Sequence, residues 1–388
     1  MAETLVPGRY AHLYVAAETP YGTPPTLLAT HAMRHVDFKV SRPDTRVPDP
    51  AKKASPGMVR QLVRRTEASC SVDALIQPSG TLNTLGEADA LLTHGMGAKS
   101  NITLSTTVSA SPSPTTTVFT VAAVTGLVVG QAILVACTGG AAPGKYVRWI
   151  TNIATLALTV APALPQAPAT SDAVKGCCTY SLVSAIDTSL CLAHYRTTDT
   201  VHSQIVKGAV AKNLAFSFEQ NTEARLSASF QAKSRAKPAP TKPAAFTMVG
   251  TQNPPSGLTG ELYVASAAYK FIKLDAAIDT GVELRTDTFG FDSPESILMT
   301  GRRKVELTLS ARLGDQAVIY DPAAAGTRVA IMMQTGFTEG NIIALYAPLV
   351  EFSVPDEDSP EDVPTWSFKG LCCESVDGQN DEFRIAFC

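Results

Sequence analysis

Apolar and polar residues alternate with period two along much of this chain. From Val305 to Leu313 every odd position is apolar, and the even ones include Glu306, Thr308, Ser310 and Arg312. Such alternation predicts a strand with one face buried and the other wet. Leu226, Ala228, Phe230 and Ala232 alternate with Ser227, Ser229 and Gln231 in the same way. Just before them Leu214, Phe216 and Phe218 alternate, and the polar run 219–223 supplies a turn, so the two segments predict a β-hairpin. Trp366 and Phe368 begin another alternation, and Phe383, Ile385 and Phe387 close the chain. The pattern predicts mainly antiparallel sheet. Only two short helices are expected. One covers residues 85–92, acidic early and ending near Gly95; the other runs from Asp315 to about Tyr320 and is stopped by Pro322 and Gly326.

Between about residues 100 and 175 the composition changes. From Asn101 to Ser171 the only charged residues are Lys145 and Arg148, and a Ser/Thr/Pro run leads into short strands at 118–121, 132–136, 146–150 and 156–160. This reads as a small inserted β-domain that projects from its parent through flexible connections. Residues 233–243, basic and rich in proline, read as a solvated connector. With the insertion set aside, the two halves follow one plan. Each has a strand (35–40 or 269–274), a long loop (41–57 or 286–301) and a long strand (58–76 or 302–313). A short helix comes next, then two strands (190–195 and 201–208, or 328–334 and 342–354) and a closing hairpin or pair. Arg64-Arg65 and Arg302-Arg303 sit at matching places, and both hairpins bend through acidic turns, 219–223 and 356–362.

Composition then narrows the function. Charged residues are 17% of the 388, with 26 glycines, 26 prolines and a net charge of −3. That suits turns and strands, and it lacks the basic balance of a protein that grips phosphates. The eight cysteines (70, 137, 177, 178, 191, 372, 373 and 388) form no Cys-x-x-Cys pair. The opening MAETLVPGRY has no apolar h-region, so reduced thiols acting as small core residues are the better reading.

Candidate chemistry is thin. His31 and His35 have the i, i+4 spacing of a helical metal site, but the strand-like alternation after His35 separates them. The acidic run Asp356, Glu357, Asp358, Glu361, Asp362 lacks the glycine and ligand spacing of a calcium loop and reads as a solvated turn. His12, His94, His194 and His202 lie in no nucleophile elbow, and no phosphate or dinucleotide loop is present. No catalytic, cofactor-binding or metal residue is assigned.

Several segments resemble the tail tube proteins of long-tailed, siphovirus-like bacteriophages. They are the opening RYAHLYVAAETPYGTP from Arg9 to Pro24, and RRTEASCSV from Arg64 to Val72 leading to Gln77-Pro78-Ser79-Gly80. The FTVAAVTGLVVGQA of the insertion (Phe119 to Ala132), Gly281–Arg285 and Asp381–Phe387 match as well. The family's usual glycine at the C-terminal end stands here as Cys388. The resemblance implies two packed antiparallel sheets with a flanking helix, joined edge to edge into a ring. Rings stack into the tube through which DNA leaves, and the long loops are expected to reach the neighbouring ring. It also implies a tape measure protein and passing DNA in the lumen, terminator and tip proteins at the ends, and a place in the virion tail after assembly in the host cytoplasm, with no membrane.

The expected fold is therefore mainly β: two tandem tube-like antiparallel sandwich or barrel units, each with a short helix, plus a small inserted all-β domain. The expected divisions are 1–99 and 177–235 for the first unit, 100–176 for an outward-projecting insertion, 236–257 for a linker and 258–388 for the second unit. A duplicated chain favours a ring of three with pseudo-sixfold symmetry; a hexamer is the alternative. The rival functions are a β-sandwich adhesion module and a hydrolase on a β scaffold.

Overall fold

The computed structural model describes residues 11–41, 44–49, 61–196, 199–237, 239, 241–250, 252–291, 293–299, 301–312, 317–355, 357–358 and 365–388. Alternating sequences make two-faced strands, and eight of these lie side by side as one antiparallel sheet. Their order is Asp37–Ser41, Ala68–Leu75, Arg225–Ala236, Asp199–Glu219, Lys273–Asp279, Lys304–Arg312, Thr365–Cys372 and Ile343–Phe352. The pairing register brings like faces together. Ala74, Leu226, Phe216, Ala276 and Leu307 form one continuous row across five strands, and all five are buried. A one-residue slip in any strand would turn its apolar row to water, which fixes the register.

The apolar face packs on a second layer. In the first half this layer is Ala11–Glu18, Ser189–Arg196 and the early part of Asp199–Glu219. In the second half it is Gly260–Val264, Val329–Thr335 and the early part of Ile343–Phe352. Arg384–Phe387, Cys178–Leu182 and Gly97–Asn101 extend the second-half layer. Leu13, Leu192, Val206, Leu262, Ile331 and Leu345 meet Phe216, Phe230, Leu307 and Phe368 in a single core running through both halves. The strand expected at 201–208 and the first arm of the hairpin are one strand of 21 residues. It bulges between Ala211 and Asn213, and that irregularity lets it pass from one layer to the other.

The repeat is visible in the hydrogen bonding. Val36 N–H donates to Asp73 O, and Ile272 N–H donates to Ser310 O at the corresponding step. Pairing for pairing, 37–41 with 68–75 matches 273–279 with 304–312, and 68–75 with 225–236 matches 304–312 with 365–372. Each half also carries a two-stranded ribbon in its long loop. These are Asp44–Pro48 with Gln61–Thr66, and Val282–Leu284 with Ile297–Met299. The single strand expected over 58–76 is thus two strands that break at Glu67, because the first belongs to the ribbon and the second to the sheet.

Both helices shift from their expected bounds. The first is Asp89–Met96, capped by Gly97 at φ 101°. Gly95 lies inside it because a Cβ there would come within 2.3 Å of Leu214 Cδ1, so packing rather than termination explains that glycine. The second helix, Ala317–Ala324, continues past Pro322 and ends at Gly326, φ 64°. Residues 313–316, where its start was expected, lie outside the described residues.

The insertion carries its own antiparallel sheet of six strands, ordered Ser105–Thr107, Ala173–Gly176, Ala132–Cys137, Gly144–Ala154, Ala157–Ala161 and Val118–Thr120. Phe119, Ile133, Val135, Ile150 and Leu158 fill its core. Its entry and exit are built rather than flexible, since Gly97–Asn101 and Cys178–Leu182 pair with each other on either side of it. Cys177 at that exit is joined to Cys388 by a disulfide across 211 residues. This corrects the reading of all eight cysteines as reduced. Cys70, Cys137, Cys178, Cys191 and Cys372 are the small buried core residues that were expected.

Gly95→Val should destabilise the fold by about 1–3 kcal/mol through overpacking against Leu214. Denaturant titration measures it, and a midpoint at the wild-type value would remove the packing explanation.

Candidate assembly surfaces

The face of the eight-stranded sheet opposite the core is polar and uncovered. Across the strands one row reads Asp37, Asp73, Ser227, Ala215, Ala277, Glu306, Leu371 and Glu351. The next reads Lys39, Ser71, Ser229, Asn213, Asp279 and Lys304. None of these side chains is buried. Three lysines on this face are held by acids two residues away, the spacing that puts both side chains on one side of a strand. Lys39 Nζ is 2.8 Å from Asp37, Lys273 Nζ is 2.9 Å from Asp275, and Lys304 Nζ is 2.5 Å from Glu306. Hydrogen bonding to Lys39 holds the Asp37 carboxyl below its usual range, and the same bond raises Lys39. Asp275 raises Lys273 likewise. The surface is charged in detail and close to neutral in sum.

The two ends of this sheet are open edges. Among the described residues Asp37–Ser41 is bonded on one side only, to Ala68–Leu75. At the other end, Ile343–Phe352 pairs with Val329–Thr335 as far as Val350, and beyond it no strand among the described residues covers its outer side. Inside the chain the equivalent edges do meet. Residues 213–219 and 273–279 are joined by seven residue pairs from Asn213 with Asp279 to Glu219 with Lys273. The open edges are therefore the same two surfaces, unjoined. Most of the acidic turn 356–362 lies outside the described residues; Glu357–Asp358 pair with Trp366 and Thr365.

The outer layer is covered differently in the two halves. In the first, the expected connector is a strap. Tyr14 Oη donates to Ala245 O at 3.0 Å, Ala239 N–H donates to Ser203 O at 3.1 Å, and Phe246 and Ala239 pack on Tyr14, Ala193 and Ile205. In the second, the insertion lies on the matching column of Tyr263, Met332 and Tyr346. Trp149 stacks on Tyr346 with ring centroids 5.1 Å apart, and the Arg148 guanidinium, fully buried, sits 4.6 Å from the centre of the Tyr263 ring. Gln334 accepts from Val147 N–H and donates to Lys145 O, both at 2.8 Å. Glu339 bridges Lys145 at 3.1 Å and Lys175 at 2.7 Å. The two charges of the otherwise uncharged stretch thus both serve its attachment.

The candidate metal residues, the other histidines and the vicinal cysteines are dispersed. His31 Nδ1 accepts from the Leu28 N–H of its own turn, whereas His35 lies edge-on to His194 at 5.5 Å. His94 Nδ1 is 2.6 Å from Thr188 Oγ1 at the end of the helix. Cys372 is buried, and burial raises its thiol beyond ordinary titration; Cys373 beside it is half-buried. No residue set gathers for catalysis among them. The surfaces that matter are the open face and the two edges, whose signal in the sequence was the polar half of each alternation.

The histidines report on one edge. Burial first, then His35 and Arg196, push His194 down to about 4 from an ordinary 6.5, and its ring lies 5.1 Å from Phe38 of the edge strand. A depressed histidine leaves the folded state with fewer bound protons than the unfolded chain. Its contribution to stability is full above about pH 6.5 and is lost as pH falls toward 4. Protection factors of the amides in residues 37–41, corrected for the intrinsic pH dependence of exchange, should therefore fall on acidification through that window, and His194→Phe should flatten the response. An unchanged profile in the variant would rule out His194 as the cause.

The family profile described as phage tail tube protein matches residues 8–379. No curated protein matches the chain.

Proposed function

From the premise that this chain belongs to the phage tail tube protein family, a structural component of the virion tail that assembles with itself into a tube, we propose that three copies close into a ring whose stacked repeats form the conduit for DNA ejection. The observation that carries this reading is the internal joint. The contact between 213–219 and 273–279 is a sheet junction already made inside each chain, and the open edges repeat its two partners. Applying the same junction between copies consumes both open edges of the eight-stranded sheet, which removes the hazard they present. Two units per chain make three chains the counterpart of a ring of six single units. The tape measure protein would occupy the lumen before DNA does, and terminator and tip proteins would bind the end rings. Assembly would take place in the host cytoplasm.

In this ring the open polar face lines the lumen. A surface on which Lys39, Lys273 and Lys304 are each held by a carboxylate gives passing phosphates fewer free cations to bind, so the duplex slides without being retained. The outer layers, the strap and the insertion then face outward. The corresponding division of the chain is 1–99 with 177–235 for one unit, 100–176 for the outward insertion, 236–257 for the connector and 258–388 for the other unit.

Electron microscopy of end-on rings tests the subunit count. Three outer projections per ring are expected; six would replace the trimer with a hexamer. The lumen assignment is tested by Asp37→Asn, Asp275→Asn and Glu306→Gln combined, which leave Lys39, Lys273 and Lys304 unpaired. Variant tubes should retain double-stranded DNA at low salt, with affinity falling at about 0.9 log units per phosphate contact per log unit of salt. Variant tubes that retain no more DNA than the wild type would place this face elsewhere.

A further inference from the structure

The ribbon Val282–Leu284 with Ile297–Met299 ends in a tip whose chemistry has no use within its own chain. Phe289 is 101% exposed and Phe291 is 57% exposed. Between them Gly290, at φ +93°, has nothing within 4 Å of a Cβ built on it. Two wet phenyl rings on a turn form an apolar patch that is completed by a partner. The tip segment 285–295 also carries Asp287, Asp292 and Glu295 against a single Arg285.

A cleft of about 780 Å³ lies at the other end of the same strands. Among the described residues, Phe218, Pro255, Phe271 and Met333 line it with apolar surface, and Lys270 and Arg312 add two cations against the acid Glu219. The central joint fixes the direction. Asn213 with Asp279 marks the ribbon end and Glu219 with Lys273 the cleft end, about 20 Å away along the strands. Tip and cleft therefore point opposite ways on one molecule. A shift along the strand direction carries the tip of one copy to the cleft of the next, a head-to-tail contact that extends without closing.

We infer that the Phe289 and Phe291 tip of each chain seats in this cleft of a second copy in the adjacent ring. The contact rests on the stacked-ring reading and specifies it. The first ribbon cannot supply the same anchor, because its loop reads Asp49-Pro50-Ala51-Lys52-Lys53-Ala54-Ser55-Pro56-Gly57, basic and without an aromatic residue. Aromatic anchoring between rings thus occurs once per chain, and the sixfold likeness of the two halves is broken along the axis.

The test uses the purified full-length chain in two arms. Phe289→Cys with Ala268→Cys, a cleft residue, should give a covalent ladder of chains on non-reducing gels after mild oxidation of tubes, whereas either single variant should not. Phe289→Ser with Phe291→Ser should leave thermal unfolding unchanged, because the side chains are exposed, and should raise the protein concentration needed for tubes about tenfold or more. Double-serine tubes forming at the wild-type concentration, with no ladder from the cysteine pair, overturn the contact and leave the tube reading intact. Wild-type chains that form no tubes under any condition sink both.

Discussion

A sheet edge is a row of backbone donors and acceptors that must find partners or water, and this molecule is organised around that requirement. The eight-stranded sheet does not close on itself, since among the described residues its end strands Asp37–Ser41 and Ile343–Phe352 do not pair with each other. It resolves the problem once internally, where 213–219 meet 273–279, and leaves the same problem at each end. Everything else supports that arrangement. The apolar rows fix the register, the second layer buries them, and the bulge near Lys212 lets one long strand serve both layers. An exposed edge in a monomeric protein is a fault; in the proposed ring it is the means of assembly.

Duplication made the two halves equal in pairing and left them unequal in covering. Each outer layer presents a column led by a tyrosine, Tyr14 in one half and Tyr263 in the other, and each column must be shielded from water. The strap and the insertion are two independent answers to that need. The insertion uses the more demanding one, since the buried Arg148 is held over Tyr263 and Gln334 reads the backbone of its strand. A buried guanidinium is costly to misplace, so it favours one docking orientation over alternatives that a greasy contact would tolerate.

Much of this was legible in the sequence because period-two alternation is a local signal. The strand at 305–313, the hairpin around 219–223 and the core face of each could be read directly, and with them the polar face now assigned as the open surface. The repeat was readable because both halves kept the same order of elements. What escaped reading depends on distant partners. Gly95 looked like a helix end because nothing local announces that Leu214 will lie against it. Cys177 and Cys388 are 211 residues apart, and only the fold brings them together. Lys145 and Arg148 stood out as the sole charges of the insertion, yet their partners Glu339 and Tyr263 lie in the other half of the chain. Residues 236–257 carried the composition of a loose connector, and only the apolar column beneath Ala236, Ala239 and Phe246 explains why these residues lie down on the sheet.

The internal joint also has a kinetic meaning. A contact between two segments of one polypeptide forms at a rate set by the connecting chain, whatever the protein concentration, whereas a contact between copies waits for diffusion. In the proposed ring of three, fusing two units in one chain makes half of the seams permanent. A ring of three then needs three bodies to meet where six single units would need six, and the dependence of nucleation on concentration is correspondingly gentler. Scarce subunits early in infection could begin a tail that unfused halves at the same abundance would start far more slowly.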